Sequence, residues 1–93
     1  MKISIVIPNW NGEHLLAKNL PEVIAASPNV EEIIVVDDCS TDGSLKLLRE
    51  KFPSVRAIAR PVHKGFASSV NDGVSQSMGD IVMLLNTDVI PTL

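Results

Sequence analysis

At 93 residues the chain has room for about one small domain, in which about 60–65% of the unfolded surface can be buried. It is 45% hydrophobic and 20% charged, which excludes a disordered or collagen-like chain. The net charge of −3 gives no basic footprint for a nucleic acid or an anionic membrane, although a bound cation would still allow a phosphorylated ligand.

The three aromatic residues are Trp10, Phe52 and Phe66. The core is therefore aliphatic, which suits a parallel sheet buried on both faces. A single cysteine, Cys39, excludes an internal disulfide and a cysteine zinc site and agrees with a reducing compartment. No apolar run reaches the roughly 18 residues of a membrane span. At the N-terminus a short apolar run ends at Pro8-Asn9, which reads as a strand and not as a signal peptide.

Residues 3–7 are β-branched and nearly all apolar, a buried strand stopped by Pro8. Asn9-Trp10-Asn11-Gly12 is turn chemistry. Residues 13–26 carry Leu15, Leu16, Leu20, Val23 and Ile24 at helical spacing. Pro21 implies either a kink there or a second helix starting in its first turn. Residues 32–37 are the clearest strand, four β-branched residues opening onto acids. Ser40, Thr41 and Asp42 offer N-caps for a helix over residues 45–52, which Pro53 ends. A weaker strand spans 55–59, and 60–64 is loop. Residues 65–78 read as a helix with Phe66, Val70, Val74 and Met78 as its buried stripe, and Gly73 lets it lie close to the sheet. Residues 80–85 form the last strand, and Asn86-Thr87-Asp88 opens the final loop. Strands alternating with helices imply a parallel sheet with right-handed crossovers, and ligands of such sheets bind beyond the carboxyl ends of the strands.

Those ends collect Asn9, Trp10 and Asn11; Asp37, Asp38, Ser40 and Asp42; Arg60, His63 and Lys64; and Asn86 and Asp88. Asp37, Asp38, Asp42 and Asp88 would repel one another around one crevice unless a cation or a donor-rich ligand occupied it. Oxygen donors favour Mg²⁺ or Mn²⁺. Each residue also has a plainer reading. Ser40 and Asp42 read first as helix caps, Asp37 as a loop-bonding acid, and His14 and His63 as exposed. Trp10, the one Trp, either stacks on a base or fills the core. The chain has no GxGxxG, no P-loop and no GxSxG elbow.

Four segments taken together resemble the family 2 glycosyltransferases: Val6-Ile7-Pro8-Asn9-Trp10-Asn11-Gly12, Ile34 through Ser44 with Asp37-Asp38, Gly65-Phe66-Ala67 with Asn71-Asp72-Gly73, and Leu84-Leu85-Asn86-Thr87-Asp88. The order and spacing run over nearly the whole chain. The resemblance implies the GT-A fold: a three-layer α/β/α, Rossmann-like nucleotide-binding half with strand order 3-2-1-4. It also implies transfer of a sugar from a nucleotide-diphosphate donor (UDP, dTDP or GDP) to an acceptor hydroxyl, with inversion and with Mg²⁺ or Mn²⁺.

By the same resemblance Pro8, Asn9, Trp10, Asp37, Asp38, Lys64, Asn71 and Asn86 bind the nucleotide. Trp10 lies against the base, Asp38 accepts a hydrogen bond from it, and Asp37 supports that loop. Asn86-Thr87-Asp88 looks like a DxD-type motif with Asp88 on the metal. Departures are Val70, where many members have Arg, and His63, where others have Asn. The chain is about half the size of such catalytic domains, so the acceptor half and the catalytic base are expected beyond Leu93. The isolated piece is expected to bind nucleotide, to transfer nothing and to self-associate through an exposed sheet edge. A cytoplasmic location is expected, with membrane association through segments outside this chain.

Two other readings share the pattern. A non-catalytic nucleotide-binding or assembly module would bind nucleotide without gaining from metal. A receiver-like signalling domain needs a lysine after its final strand, and Lys64 precedes that strand.

Overall fold

A computed structural model describes residues 1–86. Four strands, β1 (Ile3–Asn9), β2 (Glu32–Asp37), β3 (Arg56–Ala59) and β4 (Ile81–Leu84), form one sheet in the order β3-β2-β1-β4. Every described pairing is parallel, so the strands end on the same side. Helices α1 (Glu13–Ala26), α2 (Ser44–Lys51) and α3 (Phe66–Gln76) are the crossovers.

The central strands are buried because both their faces are covered. Ile5, Ile7, Ile33 and Val35 face one way and pack with Leu16, Leu20 and Val23 of α1 and Leu48 of α2. Val6, Ile34 and Val36 face the other way, beneath α3. The expected three layers are therefore present. The alternation within each strand sends successive residues to opposite layers.

Three local expectations are corrected by the backbone. β1 runs through Pro8 to Asn9. The Asn9 carbonyl accepts from Asp38 N–H on the β2 side, whereas the Val6 carbonyl accepts from Leu85 N–H on the β4 side. Pro8 thus belongs to the set that faces β4, beyond the last described β1–β4 pair, Val6–Leu84, so its missing N–H breaks no bond to β2. α1 is one helix containing Pro21, not two. The N-cap of α2 is Gly43, and Asp42 caps from one position earlier.

The buried stripe of α3 is also different from the one the apolar periodicity implied. Ser69 and Gly73 face the sheet, while Phe66 and Val74 are exposed and Met78 lies beyond the helix end, 68% exposed. Small residues face inward because the helix lies very near the strands. A Cβ on Gly73 would come within 2.5 Å of Val6 Cγ1 and 2.9 Å of Val36 Cγ2. The i, i+4 spacing of Phe66, Val70 and Val74 therefore marks the outer face. On β4, Ile81, Met83 and Leu84 are exposed as well. No helix among the described residues is long and apolar enough to cross a membrane.

Candidate nucleotide-sugar site

Two polar clasps organise the carboxyl end of the sheet. The first joins the loops after β1 and β2. Asn11 and Cys39 both take left-handed backbone conformations (φ 52° and 61°), a region open to few residues besides Gly, Asn and Asp. That turn lets Asn11 Oδ1 accept from Thr41 N–H at 2.8 Å, while Asn11 N–H donates to Ser40 Oγ at 2.9 Å. Asp42 accepts from Glu13 N–H at 3.1 Å and from Ser44 N–H at 2.9 Å, the first amides of α1 and α2. Glu13 Oε1 accepts from Gly43 N–H in return, at 2.9 Å. One acid thus satisfies orphan donors of two helices, and both carboxylates sit where the helix dipoles favour negative charge. Burial pushes the Asp42 carboxyl up, but the bonds from Ser44 and Glu13 prevail and hold it below the ordinary value.

Asp37 belongs to this clasp. It is fully buried. Its carboxylate accepts from Asn9 Nδ2 at 2.9 Å, Ser40 N–H at 3.0 Å and Ser40 Oγ at 2.6 Å. It holds the loop and has no exposed surface of its own.

The second clasp centres on Asp38, 2% exposed. Gly65 N–H donates to Oδ2 at 2.7 Å and Lys64 N–H reaches both oxygens at 3.1 and 3.2 Å. His63 Nδ1 lies 2.7 Å from Oδ2, and Arg60 Nη1 lies 3.5 Å from Oδ1. Gly65 is at φ 96°, a conformation that side chains resist, and it turns two successive amides onto one carboxylate at the start of α3. The Arg60 side chain is only 9% exposed. It also donates to Ser68 Oγ at 2.6 Å and Ser69 Oγ at 3.0 Å and pairs with Asp72 at 3.7 Å. Burial pushes the Asp38 carboxyl up, yet the Lys64 and Gly65 amides and the neighbouring His63 and Arg60 more than offset it and hold it below its usual range.

A cavity of about 300 Å³ opens above this clasp. Its walls include Pro8, Asn9, Trp10, Asp38, His63 and Phe66. Trp10 is 54% exposed, so it does not fill the core. Its ring centroid lies 4.6 Å from that of His63, at an interplanar angle of 33°. The indole face is thus presented at the mouth of a mostly apolar slot, the form a planar heterocycle fits.

Of the residues singled out by sequence, Pro8, Asn9, Trp10 and Asp38 come together here. Lys64 and Asn71 instead line a second hollow of about 590 Å³ with Arg60, Ser68, Asp72 and Gln76. Asn86 is exposed just past β4. Thr87 and Asp88 lie outside the described residues. The sequence gathers Arg60 and His63 at the end of a strand but assigns them, like Gly65 and Phe66, no ligand role; their place in the loop after β3 is the signal for one.

Asp37, Asp38 and Asp42 each accept hydrogen bonds from the protein's own loops, which lets these three acids sit near one another, and no group of three metal-ligating side chains occurs among the described residues. These residues alone do not fit a divalent ion.

The family model of glycosyl transferase family 2 matches residues 4–92. The chain belongs to that family. It is 37% identical over 94 residues to a poly(ribitol-phosphate) beta-glucosyltransferase of Bacillus spizizenii, covering 95% of this chain and 15% of that protein. It is 33% identical over 97 residues to a dolichol-phosphate mannosyltransferase of Pyrococcus furiosus, covering 96% and 26%. Among solved structures, the mannosyltransferase PcManGT from Pyrobaculum calidifontis, in complex with GDP-Man and Mn²⁺, superposes with a TM-score of 0.83 at 23% identity, over 96% of this chain and 28% of that one. TarS 1-349 of S. aureus, in complex with UDP-GlcNAc, superposes at 0.80 with 26% identity, over 95% and 27%. The expected fold is therefore the observed one. This family 2 chain spans 15–28% of the length of the first three curated relatives it matches.

The electrostatics of the second clasp predict an acid-labile link. The folded Asp38 carboxyl titrates below its unfolded value of 3.8, so its stabilisation is complete above that value and is lost as pH falls through the folded one. Asp38→Asn leaves the buried Arg60 with its Asp38 partner neutralised. It is expected to lower stability at pH 7 by about 3 kcal/mol and to flatten the decline in stability between about pH 5 and pH 2. Urea unfolding across that range checks both.

Proposed function

We propose that the chain is the donor-binding part of a glycosyltransferase that moves a sugar from a nucleotide-diphosphate sugar to an acceptor hydroxyl. The observation that carries this reading is the half-exposed Trp10 standing over His63 at the mouth of a cavity floored by buried Asp38. Three ring side chains around one slot suit a nucleobase. The relatives are named for glucosyl and mannosyl transfer, and the solved neighbours carry GDP-Man or UDP-GlcNAc. In this reading Pro8, Asn9 and Trp10 form one wall of the base slot and Asp38 fixes the opposite loop. Asp37 acts through the loop it holds, and Lys64, Asn71 and Asn86 lie toward the ribose and diphosphate. The acceptor site and the general base that would deprotonate the acceptor hydroxyl, for attack with inversion, belong to a part of the enzyme outside this chain.

A divalent ion, Mg²⁺ or Mn²⁺, would supply charge neutralisation of the diphosphate leaving group. Its ligand in this chain is Asp88, on the strength of the Asn86-Thr87-Asp88 pattern. The 93-residue chain by itself binds nucleotide and transfers no sugar. The apolar exposure of Ile81, Met83 and Leu84 on the edge strand β4 further supports pairing between two copies through that edge.

Calorimetric titration with UDP, dTDP and GDP, with and without Mn²⁺, tests the function. At least one diphosphate is expected to bind, and more tightly with Mn²⁺. Trp10→Ala is expected to weaken it about tenfold, the usual order for one lost base stack, and Asp88→Ala to remove the Mn²⁺ enhancement. Failure of all three nucleotides to bind, or a Trp10→Ala protein that binds as well as the parent, contradicts the proposal. Enhancement by Mn²⁺ that survives Asp88→Ala moves the metal elsewhere. Sedimentation at increasing concentration is expected to show dimers, and a monomer throughout contradicts edge pairing.

A further inference from the structure

The second hollow has two unlike walls. On the side of β3 the wall is apolar: Ile58 and Ala59 end the strand, and Pro61 and Val62 follow it. Val62 is 55% exposed, so this wall is open to a ligand. The opposite wall is one flank of α3 and is polar: Ser68, Asp72, Ser75 and Gln76. The hollow is also long. Ser68 and Gln76 stand about 12 Å apart at the helical rise per residue. Between them the hollow runs from the Arg60–Gly65 segment back to the start of β3, where Arg56 donates to the Gln76 carbonyl at 2.8 Å and to Gln76 Oε1 at 3.1 Å. Its volume of about 590 Å³ suits a small-molecule ligand.

Most charges here are already paired. Arg60 is held by Asp38, Asp72, Ser68 and Ser69. Asp72 also accepts from Gln76 Nε2 at 3.3 Å, and Arg56 lies 3.5 Å from Glu32. Lys64 is the lining cation with no side-chain partner recorded among the described residues, and a single free ammonium makes a poor anion site. What stays open is uncharged. Ser68 Oγ accepts from Arg60 and keeps its own proton to donate. Ser75 Oγ donates to the Asp72 carbonyl at 2.9 Å and keeps its lone pairs. A ligand that both donates and accepts on one side and is apolar on the other matches the two walls. Sugar rings have that build, with hydroxyls that do both and faces of C–H groups.

We propose that this groove holds a neutral sugar chain, its C–H faces on Pro61 and Val62 and its hydroxyls on Ser68, Asp72 and Ser75. The choice of a sugar rests on the glycosyltransferase reading above. The groove is a glycan site apart from the base slot, with which it shares no lining residue. It needs neither Lys64 nor Asn71, the lining residues assigned to the donor. Its role is retention, because a chain seated here stays beside the donor-binding loop between transfers.

The experiment is amide chemical-shift mapping by NMR on the isotope-labelled chain. The probes are maltotriose, mannotriose and chitotriose, and in separate titrations UDP and inorganic phosphate. At least one trisaccharide is expected to shift the amides of Val62, Ser68, Asp72 and Ser75, to leave Trp10 unmoved, and to do so equally in the presence of UDP. Ser75→Phe fills the groove and Val62→Asp puts a charge on its apolar wall. Both positions are exposed. Each variant is expected to weaken that sugar about tenfold and to bind UDP as the parent does. UDP binding with no response to any trisaccharide, sugar shifts centred on Trp10, sugar binding untouched by both variants, or shifts from phosphate alone would each overturn the groove and leave the donor reading intact. A sugar that binds as expected where UDP does not supports the groove and counts against the donor reading. Silence from every probe overturns both.

Discussion

The structure depends on a buried negative charge. The Asp38 carboxylate at the end of β2 is removed from water, and removing an ion costs several kcal/mol unless donors replace its hydration. Those donors all come from one short segment, Arg60 to Gly65, between β3 and α3. Satisfying the charge therefore fixes where that segment lies and where α3 begins, and the left-handed turn at Gly65 makes the two amides converge. Arg60, itself buried, extends the same network to Ser68, Ser69 and Asp72 and so ties the helix to the sheet. The cavity is what remains between this fixed loop and the Trp10 turn.

The Trp10 turn is held just as firmly by the other clasp. Asn11, Ser40, Asp42 and Glu13 exchange hydrogen bonds between the loops after two adjacent parallel strands. Parallel register brings Asn9 beside Asp37, so the two loops leave the sheet at the same level and can cap one another's helices. A rigid scaffold thus leaves Trp10, His63 and Phe66 as exposed groups at the rim. Site precision comes from polar bonding, and the aliphatic core below supplies the surface on which the strands align.

Much of this is legible in the residues. The β-branched runs at 3–7 and 32–37, buried on both faces, announce a parallel sheet, and acids following them announce a site at their carboxyl ends. The family motifs add strand order. What the sequence conceals is direction and occupancy. Phe66, Val70 and Val74 have the spacing of a buried stripe, but periodicity does not say which face meets the sheet, and the small pair Ser69 and Gly73 meets it instead. Asp37, Asp38 and Asp42 near one crevice look like a metal site, but hydrogen bonds from the surrounding loops already occupy them, so Asp37 and Asp42 hold loop and helix ends and Asp38 anchors the segment before α3. Lys64 and Asn71 separate from Trp10 because the loop places its backbone, not the lysine side chain, toward Asp38.

The most direct test is a structure of this chain with bound UDP. The account predicts the uracil seated against Trp10 in the slot that Asp38 and His63 also line. Uracil found in the hollow between Lys64 and Asn71 would contradict it.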